Sequence, residues 1–231
     1  MCFSAQASFV VATTLVTVGV LSLLKARTFG LRLLALSPLL LGIQQALEGL
    51  VWLRISASDM VSMWFKMGVY GFEFFAVAWW PFWIPSVLYV IERRTQNKQI
   101  LGAFACIGFC MYLGGLLALW KSPAAVQEVD HHLRYPFLTN PAHALFPFLA
   151  DWYMDMVRYT ALTIYTMLTI GSCFVSTTPG VRIIGILFTI GYIVAMFGYQ
   201  LAFASTWCFF AAIASAGVYG TITYHNRKHK N

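Results

Sequence analysis

The chain is dominated by apolar runs of about 20 residues that are separated by short polar or basic stretches. A run of that length is what an α-helix needs to cross the hydrocarbon layer of a bilayer. Hydrophobic residues make up 60% of the 231 positions and charged residues only 10%. A soluble domain of this size needs much more polar surface to cover its core. The sequence therefore predicts an all-α, polytopic membrane helical bundle in contact with the lipid bilayer.

The apolar runs predict about seven transmembrane helices in a single membrane domain over residues 1–231. The boundary between the last two is the least marked, because no charged residue lies between Ile183 and Tyr224. That stretch is too long for one crossing and long enough for two. An ordered extracytoplasmic loop, rich in aromatic residues and proline, is expected at about 121–150. The predicted spans cover residues 6–24, 33–53, 68–91, 101–120, 152–174, 181–203 and 206–224.

The positions of lysine and arginine indicate an orientation. With seven spans, ten of these cations fall on one side of the membrane and five on the other. The positive-inside rule makes the richer side cytoplasmic, so the N-terminus lies outside and the C-terminus inside. Six spans would leave the basic tail outside, against the rule. Since the net charge of +7 reflects this topology, no nucleic acid partner is expected.

The third predicted span contains a bend signal. Pro81 and Pro85 lie one turn apart and remove two backbone donors, which predicts a kink. Trp79, Trp80 and Trp83 surround these prolines. They form either a bulky packed bend or an aromatic wall around a ligand.

Polar residues within the predicted spans gather towards the outer side. A charge inside a membrane segment is costly and is a candidate for function. Glu48 lies about five residues from the outer end of span 2, roughly 8 Å deep at 1.5 Å per residue. Gln45 shares its face, Glu73 lies at a similar depth in span 3, and Asp155 and Arg158 open span 5. The same side holds a larger set of candidates: Cys2, Ser4, His131, His132, Trp207 and Cys208.

Each of these residues also has a purely structural explanation. Glu48 and Arg158 are placed to form an ion pair between two helices. Asp155 suits the positive end of a helix dipole, and His131 and His132 suit a solvated loop. Cys2 and Cys208 could form an extracytoplasmic disulfide, because that compartment is oxidising.

Histidine, carboxylate and thiolate together are the ligand set of zinc and similar divalent metals. We therefore predict metal ligands at Cys2, Cys208, His131 and His132. Glu48 and Asp155 are the catalytic candidates, and ligand-binding roles fall to a further set, namely Gln45, Ser4, Trp207 and Arg158. A metal held this way could activate water for attack on a lipid or amphipathic substrate. The sequence has no HExxH motif, so the prediction depends on residue types alone.

The alternative class is a non-enzymatic ligand-binding, sensor or transport protein for a small-molecule or lipid ligand. A transporter normally has ionisable groups near the bilayer midplane and an internal repeat. Here the polar groups lie at a shallow depth in the membrane and no internal repeat is visible, so the sequence favours a transport function less.

Four segments resemble an uncharacterised family of bacterial multi-pass membrane proteins that begin Met-Cys-Phe-Ser-Ala. They are MCFSAQASF at 1–9, QQALEGLVW at 44–52, WPFWIP at 80–85 and TWCFFA at 206–211. The resemblance implies a bacterial cytoplasmic (inner) membrane protein and no known activity. It also selects six positions already placed at the outer face, namely Cys2, Ser4, Gln45, Glu48, Trp207 and Cys208.

Overall fold

A computed structural model describes residues 4–129, 132–139, 141–145, 151–198 and 203–228. The protein is mostly helical, as the sequence predicts. Two π-helical segments, Phe74–Trp79 and Met167–Gly171, join α3 to α4 and α7 to α8. The α-helices are α1 (Ala5–Lys25), α2 (Phe29–Ser56), α3 (Met63–Glu73), α4 (Trp80–Ile91), α5 (Thr95–Lys121), α6 (Pro136–Thr139), α7 (Asp151–Thr166), α8 (Ser172–Val175), α9 (Val181–Gly198) and α10 (Phe203–Lys228).

Five helices within the described residues are long and apolar enough to cross a membrane. Their outward surfaces carry exposed apolar side chains, such as Ile107, Phe109 and Leu113 on α5. In water this exposure would be unfavourable, whereas lipid accommodates it. The five helices are Ala5–Lys25, Phe29–Ser56, Met63–Ile91, Thr95–Lys121 and Val181–Gly198.

The helices begin where short polar side chains cap them. Ser4, Thr28 and Ser62 accept hydrogen bonds of 3.2–3.3 Å from the backbone N–H groups three residues further on. These bonds satisfy donors that the first turn of a helix leaves unpaired.

The chain folds back and forth, and the helix pairs are closely packed. Gly49 of α2 lies against Phe9 of α1, and Gly19 of α1 lies against Leu39 of α2, so the two helices are antiparallel. Helix α9 ends at Gly198 and α10 begins at Phe203, so the predicted boundary between residues 203 and 206 falls within the first turn of α10. Gly191 lies against Phe210, which makes α9 and α10 antiparallel as well.

The C-terminal ends of α1 and α10 lie at the same end of the bundle. The Asn226 side chain donates a 2.7 Å hydrogen bond to the carbonyl of Lys25. Gly30, just after α1, packs against Ile91, so α4 ends there too. We call this end, which carries Lys25 and Arg227, the basic end.

The bend at the tryptophan–proline segment takes the form of a π-helix. Pro81 has no N–H to donate to the carbonyl of Val77, and Pro85 has none to donate to the carbonyl of Pro81. The segment Phe74–Trp79 adopts the wider i to i+5 pattern immediately before these prolines. The predicted kink is therefore present as a π-helical turn, which is a known response of a helix to interrupted hydrogen bonding.

The loop after α5 contains a short β-hairpin, which the sequence analysis did not predict. β1 (Gln127–Val129) and β2 (His132–Arg134) form an antiparallel hairpin in which Val129 pairs with His132. Leu133 and Tyr135 are buried, and the Tyr135 ring stacks on Phe72 of α3 at 4.6 Å between centroids. The segment therefore folds onto the end of the bundle opposite the basic end. The residues at 130–131, 140 and 146–150 of the predicted loop lie outside the described residues.

One carboxylate links two connections at the basic end. Glu92, at the end of α4, accepts hydrogen bonds from the backbone N–H of Arg93, Arg94 and Thr177, and from the hydroxyls of Ser176 and Thr177. Burial alone would raise the pKa of Glu92, but the hydrogen bonds from Thr177, Arg94 and Ser176 together hold that pKa below its ordinary value of 4.5. Glu92 therefore ties the α4–α5 connection to the segment after α8.

Candidate functional site

A group of polar side chains is buried on one face of α2. Gln44, Gln45 and Glu48 are each fully buried. The Gln45 amide donates to a Glu48 carboxylate oxygen at 3.4 Å. Residues three and four apart lie on neighbouring positions of a helix surface, so these side chains point into the same part of the bundle. Gln45 and Glu48, two of the predicted site residues, are therefore brought together.

A tryptophan from α4 completes this group. The indole Nε1–H of Trp80 donates a 2.8 Å hydrogen bond to Oε1 of Gln44, and both side chains are buried. The π-helical turn before Trp80 sets the direction of this ring. Gln44 neighbours Glu48 in the QQALEGLVW segment and Trp80 belongs to the tryptophan–proline cluster, but neither was predicted as a site residue.

Glu73 is a second buried carboxylate. Its side chain is fully buried, and neither carboxylate oxygen has a hydrogen-bond partner within the described residues. Gly71 packs against Leu47, and Gly68 packs against Val51, which sets the register of α3 against α2. In that register Glu73 lies at the level of Gln44 and Gln45. The sequence indicated Glu73 as a candidate because this charged residue lies within a predicted span. We call Gln44, Gln45, Glu48 and Trp80 the polar cluster, and Glu73 lies at the same level on the neighbouring helix.

An apolar cavity of about 70 Å³ lies inside the bundle, on the side of the polar cluster nearer the basic end. Its walls come from α2, α4, the second π-helical segment and its flanks, α9 and α10. Aliphatic and aromatic side chains dominate them, including Leu41, Trp80, Tyr165, Phe188, Trp207 and Val218. About 10–15 Å³ of such space holds one water-sized group, so this cavity has room for several.

The polar cluster and the cavity meet at Trp80. This residue lines the cavity with its ring and binds Gln44 with its Nε1–H. Leu34 and Leu41, on the same face of α2 as Gln44, also line the cavity. Gln44 follows Leu41 by three residues, or about 4.5 Å along the helix. The site therefore has the apolar cavity at one end and amide and carboxylate groups at the other.

Trp207, predicted to bind a ligand, lies in the cavity wall. Its ring makes edge contacts with Tyr165 at 5.5 Å and Tyr192 at 5.6 Å between centroids. Ser4, predicted for the same role, caps α1 by accepting the hydrogen bond from Ala7.

Asp155 and Arg158 are not brought to Glu48. Both are exposed on α7, whereas Glu48 is fully buried. The Arg158 guanidinium lies over the Tyr159 ring at 5.6 Å. Within the described residues no hydrogen bond or ion pair joins either residue to Glu48, so the alternative of a Glu48–Arg158 pair is not realised.

The predicted metal ligands are only partly within the described structure. His132 is half-buried in β2. Cys2, His131 and the side chain of Cys208 lie outside what is described, and so does the proposed disulfide. Among the described side chains, no three histidine, cysteine or carboxylate groups are arranged to hold a metal ion.

The fold and this site define a helical protein with membrane-length apolar helices and a buried polar cluster above an apolar cavity. The chain belongs to the family of unknown function DUF6629, whose sequence model matches residues 1–231. The resemblance to an uncharacterised family is thereby confirmed. Comparison with curated proteins and with solved structures gives no match.

Proposed function

We propose that this protein is a multi-pass membrane protein that binds an amphipathic molecule inside its helical bundle. The observation that supports this function is the junction at Trp80, where the buried polar cluster meets the apolar cavity. A hydrocarbon segment would occupy the cavity, and its polar group would contact Gln44, Gln45, Glu48 or Glu73. Ligand pockets commonly combine an apolar lining with a few placed polar groups in this way.

The polar cluster indicates the chemistry of the head group. Its amide and carboxyl oxygens accept hydrogen bonds, so the ligand is a neutral or cationic amphiphile with hydroxyl or amine donors. An acidic head group would place an unpaired negative charge in a buried site, which is strongly unfavourable.

Binding is favoured over metal-dependent hydrolysis. The hydrolase prediction needs Cys2, Cys208, His131 and His132 to meet at one metal, with Asp155 beside Glu48. Asp155 is exposed and Glu48 is buried. The polar cluster and the cavity provide a binding site without these residues.

Matched ligands of one chain length test the proposal. Hexylamine, hexanol and hexanoate are added to the purified protein in mild detergent, and the Tm is measured. The amine and the alcohol should raise the Tm, because a ligand that binds only the folded state stabilises it by mass action. Hexanoate should not raise it. An equal effect of all three, or no effect of any, would contradict the proposal.

Two variants locate the binding site. Val218→Phe places a larger side chain in the cavity wall and should abolish the rise in Tm. Leu113→Phe adds similar bulk on the lipid-facing surface of α5 and should leave the rise unchanged.

We also propose seven spans, with the basic end in the cytoplasm of a bacterial cell and the N-terminus outside. Besides the five membrane-length helices, the chain from Asp151 to Val175 and helix α10 would each make a crossing. At 25 and 26 residues they reach about 37–39 Å, enough for the hydrocarbon layer. The hydrogen bond from Asn226 to Lys25 supports an odd number of spans, because α1 and α10 then run in the same direction.

Cysteine labelling in whole cells tests this topology. In a background without the native cysteines, Ser58→Cys should react with a membrane-impermeant maleimide and Gln96→Cys should not. Labelling of Gln96→Cys alone would reverse the orientation.

A further inference from the structure

A second pocket, separate from the polar cluster, lies at the basic end between α1 and α10. It is open to the surface and has a volume of about 320 Å³. Its walls are formed by the end of α1, the connection that follows and the last turns of α10, and they comprise Leu24, Lys25, Arg27, Thr223, Asn226 and Arg227.

Among the described residues that line this pocket, three are cations and none is a carboxylate. Lys25, Arg27 and Arg227 contribute three positive charges. Helix C-termini carry only about half a negative charge each and are screened within a turn, so they do not balance this charge. Glu92, the carboxylate at this end of the described structure, is bound by Ser176 and Thr177. The pocket therefore attracts an anion.

The polar groups of the pocket are held in place by the protein. The Lys25 ammonium lies 4.4 Å from the centroid of the Tyr219 ring, a cation–π contact. The Asn226 side chain donates to the Lys25 carbonyl and links the two walls. The Thr223 hydroxyl is buried and has no hydrogen-bond partner within the described residues. A phosphate oxygen placed in the pocket would accept that hydrogen bond.

Apolar surface continues from the pocket into the membrane region. Leu24, in the pocket wall, is 79% exposed, and Val20 and Leu21 on the preceding turn of α1 are also exposed. A soluble phosphate would leave this apolar surface uncovered, whereas the acyl chains of a bound lipid would cover it.

We infer that this pocket binds the phosphate head group of an anionic phospholipid of the leaflet at the basic end. Lysine and arginine form charge-assisted hydrogen bonds to phosphate, and basic pockets between transmembrane helices suit such head groups. The Thr223 hydroxyl adds a neutral donor, and the exposed face of α1 carries the chains. The site is independent of the amphiphile proposed for the bundle interior.

Native mass spectrometry of the whole protein tests this inference. The protein is released from nanodiscs that contain equal amounts of phosphatidylglycerol and phosphatidylcholine. Wild type should retain one phosphatidylglycerol in preference to phosphatidylcholine. Lys25→Gln and Arg227→Gln should each reduce that retention about fivefold, since a cation near the membrane surface contributes on the order of 1 kcal/mol to lipid binding.

Lys98→Gln is the matched control. Lys98 also lies over an aromatic ring, that of Tyr89 at 5.0 Å, but outside this pocket. It should leave lipid retention unchanged. Thr223→Val, which keeps the side-chain shape, should weaken retention without changing the charge.

Two results would overturn the inference. One is equal loss of phosphatidylglycerol in Lys98→Gln and Lys25→Gln, which would indicate a general surface charge effect. The other is full competition by millimolar inorganic phosphate or glycerol phosphate, which would identify a site for soluble phosphate. A shift in Tm of the variants without lipid would be recorded separately, so that unfolding is distinguished from lost binding.

Discussion

Trp80 and Gln44 are joined by a 2.8 Å hydrogen bond from the indole Nε1–H to the amide Oε1, with both side chains buried. The two residues are 36 positions apart and belong to different helices. Their bond fixes the indole ring between the polar cluster and the apolar cavity. This placement gives the bundle interior its amphipathic character.

Trp80→Phe should destabilise the protein. The change removes the donor to Gln44 and part of the ring that lines the cavity. Loss of a buried hydrogen-bond partner costs about 1–3 kcal/mol. Thermal unfolding in detergent would show a lower Tm. Trp120→Phe is the control, because Trp120 is 84% exposed and should tolerate the change; equal effects of the two substitutions would argue against a special role for Trp80.

Gly108→Ala should weaken the packing of α4 against α5. A Cβ at this position would lie 2.1 Å from the Pro81 carbonyl oxygen, a backbone atom that cannot move aside easily. Overpacking of this kind costs about 1–3 kcal/mol. Gly114→Ala, on the same helix, has nothing within 4 Å of its Cβ and should have little effect. A lower Tm for Gly108→Ala than for Gly114→Ala would show that α4 and α5 approach closely at Gly108.

Glu92→Gln should lower stability in a pH-dependent manner. The pKa of Glu92 is lowered in the folded protein, so its carboxylate stabilises the fold above the unfolded-state pKa, near the ordinary value of 4.5. That stabilisation is lost as the pH falls through the lower folded-state pKa. The Tm difference between wild type and variant should therefore be largest at neutral pH and should become smaller as the pH falls below about 4.5. A difference that stays constant down to the acid limit would show that Glu92 acts without its charge.

Glu73→Gln should stabilise the ligand-free protein and weaken ligand binding. The carboxylate is fully buried and has no hydrogen-bond partner within the described chain, which is unfavourable in an empty site. A neutral amide of similar shape reduces that cost by about 1 kcal/mol or more. The expected result is a higher Tm together with a smaller Tm rise on addition of hexylamine. A lower Tm with unchanged amine response would assign Glu73 a structural role.

Sequence reasoning predicted the helical segments well because they depend on local composition. The apolar runs mark the helices, but two helices begin earlier than predicted: α2 begins at Phe29, ahead of the predicted 33, and α3 begins at Met63, ahead of the predicted 68. The hairpin after α5 was missed, since its three-residue strands depend on burial of Leu133 and Tyr135 against α3. The burial of Gln45 and Glu48 followed from their depth within one predicted span.

Positions that depend on helix rotation were predicted less well. Asp155 and Arg158 share a depth with Glu48 along the chain pattern, but α7 turns them outward. Ser4 caps α1, a role that the sequence analysis did not assign to it.

The sequence by itself determined that the chain forms apolar helices of membrane length, because hydrophobicity and helix length are local properties that lipid selects. Only the tertiary structure decided that Gln44 meets Trp80, that Glu73 is enclosed, and that Lys25 shares a pocket with Arg227. Those relationships depend on the rotation and register of helices that are far apart in sequence. The rotation and register are set by close packing at Gly71 and Gly108 and by the two π-helical segments.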